Sequence, residues 1–76
     1  MSEPACRERI DSLKRLLEIA PWDLNVRARL AEGLETAGNL KGALEVWQEV
    51  LVRDANHLGA WRAMHRIRQR LDEAVP

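Results

Sequence analysis

Apolar side chains return every three or four positions along almost the whole chain, interrupted only by short polar or proline-containing breaks. That spacing marks helices with one buried face, and no stretch alternates with period two for long enough to make a strand. Cys6, Ile10, Leu13, Leu16 and Leu17 form the first stripe. It closes at "IAPWD", where Pro21 cannot continue a helix and disfavours helical backbone in the residue before it. Asp23 is placed to cap a second helix carrying Leu24, Leu30, Ala31 and Leu34, which ends at Gly38, a residue that takes the left-handed conformation readily. Asn39 can open a third helix, with Leu40, Ala43, Leu44, Trp47, Val50 and Leu51 inward. After "RDANH" a fourth carries Leu58, Trp61, Met64, Ile67 and Leu71. The predicted helices span about residues 5–19, 24–37, 40–53 and 58–73. The breaks leave room only for reversals, so each helix should lie antiparallel to the next within one all-α domain over residues 1–76.

A displacement of 34 positions places the third helix on the first and the fourth on the second. Cys6 then meets Leu40, Ile10 meets Leu44, Leu13 meets Trp47, Leu16 meets Val50, and Leu17 meets Leu51. Leu24 meets Leu58, Leu30 meets Met64, and the break "IAPWD" falls on "RDANH". In this period and in its residue pattern the chain resembles the tetratricopeptide repeat family. Residues 24–57 look like one complete unit, flanked by two half-units. Leu30 stands at the family's leucine position, Ala31 at the small residue beside it, and Leu34 where tyrosine is usual. Gly38 and Leu40 fit the turn, Ala43 the small residue where paired helices touch, Trp47 the large aromatic, and Val50 and Leu51 complete the set. Arg27 replaces the usual tryptophan and Ala55 the closing proline, although the flanking half-units carry those residues as Pro21 and Trp61. The resemblance implies a short α-solenoid of four antiparallel helices.

The outer faces of such an array are expected to be polar where no further repeat follows. Arg9 stands where the repeat has a small apolar residue, and His65 and Arg68 where it has a small residue and an aromatic. A short protein capped at both ends is therefore expected in preference to a cut array. Trp61 departs from this pattern, and two readings are open for it. It folds back onto Leu58 or the helix turn, or it is a self-association contact.

Members of the family bind extended peptides or helices along a concave surface lined by the first helix of each unit. The resemblance carries that role to Asn25, Ala28, Arg29, Glu32 and Glu35 or Thr36 on the second helix, and to Gly59, Arg62, Ala63, Arg66 and Arg70 on the fourth. Arg62, Arg66 and Arg70 recur every four residues and so share one face of a helix. Guanidinium groups grip carboxylates in bidentate fashion, so the stripe suits an acidic segment or a C-terminal carboxylate of another protein. The alternative is internal pairing with Glu32 and Glu35. The Lys and Asn that some family members use to clamp a chaperone tail have no counterpart, since two of those positions hold Ala28 and Glu32.

Composition narrows the picture further. Lys plus Arg and Asp plus Glu balance at 12 each in 76 residues, so the net charge is zero and the basic footprint of a nucleic-acid binder is missing. No apolar run is long enough to span a bilayer, and "MSEPACRERIDS" lacks the apolar core of a secretory signal. The single cysteine, Cys6, reads as a packed thiol, and a reducing cytoplasm is the expected compartment. His57 and His65 are too far apart on a helix for metal-pair spacing. No phosphate loop or nucleophile constellation occurs, so neither enzyme activity nor a cofactor is expected. The function expected is a protein–protein interaction module that binds a peptide or helix on its concave face. The alternative is a self-associating structural or assembly subunit that uses its terminal helices.

Overall fold

A computed structural model of the chain describes the backbone of residues 3–74 and the side chains of residues 7–73. Four helices follow one another: α1 (Glu3–Ile19), α2 (Leu24–Thr36), α3 (Leu40–Arg53) and α4 (Leu58–Ala74). No strand occurs among the described residues. The fold is all-α. The helix α1 starts two residues ahead of the expected position, with Pro4 in its first turn, where a missing backbone N–H costs no helical hydrogen bond.

The ends of the helices follow from local chemistry. The Asp23 carboxylate accepts from the backbone N–H of Asn25 at 3.1 Å and of Val26 at 3.2 Å, capping α2. At the other end of α2, Gly38 has φ +88°, and Asn39 N–H donates to the Leu34 carbonyl at 2.8 Å while Gly38 N–H donates to that of Glu35 at 3.0 Å. This pair of bonds satisfies two carbonyls that the helix leaves without partners, and it needs a residue tolerant of positive φ. The Asn39 side chain then accepts from Gly42 N–H at 3.0 Å and opens α3. The start of α4 holds a cap that the sequence reading did not assign: His57 Nδ1 accepts from Ala60 N–H at 3.0 Å.

Each helix packs on its neighbour in sequence, with α2 against α3 the most extensive contact, and no comparable packing joins α1 to α4. The described chain is flat, 40 × 33 × 15 Å, with its short dimension close to the thickness of two packed helix layers. Its core comprises Ile10, Leu13, Leu30, Ala31, Leu34, Ala43, Trp47, Val50, Ala60, Ala63, Met64 and Ile67. Ala31 and Ala43 are wholly buried, and their small side chains let α2 and α3 approach closely. Gly33 does the same between α1 and α2, where a Cβ would sit 3.3 Å from Ile10 Cγ1.

Two residues expected inward are not: Leu16 is 48% exposed and Leu58 58%. Trp61, for which folding back and self-association are both open readings, is 51% exposed. The face of α1 that meets α2 is set by Ile10, Leu13 and Leu17, and Leu16 points away from it with no helix to cover it. Leu58 is the first residue of α4. Ala63 departs in the opposite sense: the family resemblance placed it on the lining surface, whereas it is 2% exposed and part of the core. Cys6, expected in the α1 stripe, lies outside the described side chains.

Candidate partner-binding face

The second and fourth helices, distant in sequence, are joined by ion pairs. Arg66 Nε and Nη2 donate to the two carboxylate oxygens of Glu35, each at 2.7 Å, in a bidentate pair. Arg70 Nη1 lies 3.7 Å from the same carboxylate. The carboxylate is the sheltered partner: the Glu35 side chain is 12% exposed, against 53% for Arg66 and 50% for Arg70. Glu35 therefore sits beneath two arginines whose outer edges face water.

The electrostatics agree with the geometry. Glu35 is held below its ordinary carboxylate range chiefly by the Arg66 hydrogen bond, with the charges of Arg66 and Arg70 adding to it and partial burial opposing. Arg66 is raised, again chiefly by its bond to Glu35, with a further contribution from the charge of Glu32. A carboxylate whose pKa is depressed in the folded state stabilises the fold above its ordinary pKa, and that contribution is lost as pH falls through the folded value. Thermal stability should accordingly drop as the pH is lowered from 6 to about 3. In Glu35→Gln the drop should be smaller. Melting curves of the two proteins across this range check it, and parallel losses would show that the pair adds nothing.

Of the remaining expected lining residues, Ala28 is half-buried and Gly59 exposed. Asn25, Arg29, Glu32, Arg62 and Thr36 are exposed, and Thr36 Oγ1 is turned back onto the Glu32 carbonyl at 3.0 Å. Arg62 has no hydrogen bond or ion pair with any described residue. Of the two readings of the arginine stripe, internal pairing thus holds for Arg66 and Arg70, through Glu35, and does not extend to Arg62. Trp61, the residue before Arg62 and hence on an adjoining face, folds back: its indole N–H donates to the Ala55 carbonyl in the turn before α4 at 2.8 Å, and half the ring remains exposed.

One polar residue of structural weight was not foreseen. Arg27 is buried, only 8% exposed, and its guanidinium pairs with Glu49 of α3 and donates to the Pro21 carbonyl at 2.6 Å. It ties α2 to α3 and to the turn after α1. The signal was visible as the departure from the repeat pattern at that position, since a charged residue where an apolar one is expected calls for a buried partner. No group of three or more metal-ligating side chains occurs among the described residues, and no described helix is long and apolar enough to cross a membrane.

Comparison of the chain with protein-family profiles, with curated proteins and with solved structures finds no match.

Proposed function

We propose that the chain is a protein-binding module, a short tetratricopeptide-like array whose α2–α4 face receives an acidic segment or C-terminal carboxylate of another protein. The observation that carries this reading is Arg62, exposed and without a partner among the described residues, in line with Arg66 and Arg70, whose outer edges are open to water. Asn25, Arg29 and Glu32, exposed on α2 and spaced to share one helix face, are assigned to the same surface. The proposal places the module in a reducing cytoplasm and assigns it no catalytic step.

A second reading, self-association through the terminal helices, draws on the exposed Leu16 of α1 and the half-exposed Trp61 of α4. The exposed charges on these helices are mixed, Arg9, Arg15 and Arg68 with Glu8, Asp11 and Asp72, so charge does not select this contact. Sedimentation at micromolar concentration separates the two readings, because the binding module is expected to be a monomer.

The test of the binding reading rests on Arg62, because Arg66 also serves the fold. In Arg62→Gln the melting temperature should stay unchanged, since no ion pair is lost. Affinity for a fluorescein-labelled oligoglutamate peptide with a free C-terminus should fall on the order of tenfold, the effect of losing one charged hydrogen bond. Binding should also weaken as salt rises, because exposed charges are screened within about 8–10 Å. Capture indifferent to both the substitution and salt would refute the proposal.

A further inference from the structure

We infer that Glu35 is an internal stand-in for the partner's carboxylate, occupying the arginine pair from beneath and holding the affinity for acidic segments down. The inference rests on the binding reading above and concerns how that site is regulated.

The geometry is that of a filled clamp. A bidentate contact, both oxygens at 2.7 Å, is how an arginine would hold a ligand carboxylate, and Arg66 already makes it with Glu35. Its Nε and Nη2 are committed, and Arg70 leans on the same carboxylate at 3.7 Å. A ligand carboxylate arriving from solvent meets only the outer edge of Arg66, the free Arg62, and the negative charge of Glu35 behind them. It must either share the guanidinium with Glu35 or displace it. Because the Glu35 side chain is only 12% exposed, swinging into water would mean leaving a sheltered position and both arginines at once.

Two effects of removing the charge would compete. A neutral residue would no longer repel the ligand, but it could also let the arginines wander. Glutamine separates them, because it keeps the shape of the side chain and one oxygen able to accept from Arg66, so most of the orientation survives while the charge is lost. Two unit charges about 6 Å apart in a largely aqueous setting, at an effective dielectric of about 40–80, repel enough to change a binding constant about three- to tenfold. The charge effect should win, and Glu35→Gln should bind acidic segments more tightly than the parent.

The experiment titrates the labelled oligoglutamate peptide into the parent, Glu35→Gln, Glu35→Gln/Arg66→Gln and Glu45→Gln, each shown by circular dichroism to be folded. Glu45 is exposed on α3, and its substitution makes the same change in net charge elsewhere. The expected result is a three- to tenfold tighter complex for Glu35→Gln, as derived from the repulsion above. That gain should be lost when Arg66 is also replaced and absent in Glu45→Gln. Unchanged or weaker binding by Glu35→Gln would overturn the inference and leave Glu35 as a support for the arginines. A gain that persists without Arg66, or that Glu45→Gln reproduces, would overturn it as an effect of net charge. In both cases a parent that binds the peptide and depends on Arg62 keeps the binding reading intact. If neither the parent nor Glu35→Gln binds the peptide, the inference and the binding reading both fall.

Discussion

Trp47→Ala should destabilise the domain by about 3–5 kcal/mol, the range seen when a large aromatic is deleted from a packed core. Trp47 is 3% exposed and lies among Leu30, Ala31, Ala43 and Val50 in the common core, with its ring 6.1 Å from that of His57, the residue that caps α4. The substitution would therefore open a cavity at the α2–α3 contact and loosen the start of α4 as well. A chain of 76 residues commonly has about 4–11 kcal/mol of total stability, so much of the population should unfold near room temperature. One feature softens the loss: the indole N–H is buried without a hydrogen-bond partner in the described structure, and its removal relieves that cost. Trp47→Phe should for this reason lose far less than Trp47→Ala. Trp61→Ala is the control, since half of that ring is already in water. Urea denaturation followed by far-ultraviolet circular dichroism measures all three, and a Trp47→Ala variant as stable as Trp61→Ala would contradict the packing described.

The second large effect is an asymmetry at Arg27 and Glu49. Glu49→Ala leaves a buried guanidinium with the Pro21 carbonyl as its only acceptor among the described residues and with its Nε, already unpaired, still unpaired. The expected cost is about 1–3 kcal/mol. This is below the range for fully buried pairs because the Glu49 side chain is 51% exposed and water can partly replace it. Arg27→Met removes the charge and keeps the length of an apolar stem. Such replacements of buried ion pairs are often neutral or stabilising, so this variant should lose little. The double variant Arg27→Met/Glu49→Ala should then be more stable than Glu49→Ala alone. A double-mutant cycle in urea checks the order of the four proteins. Equal losses for the two single variants would mean that the pair, and not the stranded charge, carries the energy.

The same pair shows where reading residues one at a time runs out. The sequence marks Arg27 as out of place, but its partner lies on another helix, and only the fold brings Glu49 and the Pro21 carbonyl to it. The arginine stripe was legible in the same partial way. Spacing by four puts Arg62, Arg66 and Arg70 on one helix face. Whether a carboxylate of the chain already occupies them depends on how α4 lies against α2. The answer differs along the stripe: Arg66 and Arg70 are paired with Glu35, and Arg62 is not. Leu16 and Leu58 fell on the wrong side of the same divide. Their periodicity is that of buried residues, yet burial requires a second surface, and none lies over them.

What the sequence determined by itself is local. Apolar period, the Asp23 and Asn39 caps, Gly38 at a left-handed position and Pro21 at a break specify where helices begin and end, because each acts within a turn of its own backbone. The small residues Ala31 and Ala43 and the bulky Trp47 mark where helices must meet, since volume has to be matched at a close crossing. Only the tertiary structure decided which charges are neutralised, which apolar residues stay in water, and that His57 caps α4 with its ring against Trp47. These are properties of pairs of surfaces. A charge or a methyl group has the same chemistry in any sequence, and its energy is set by what the fold places beside it.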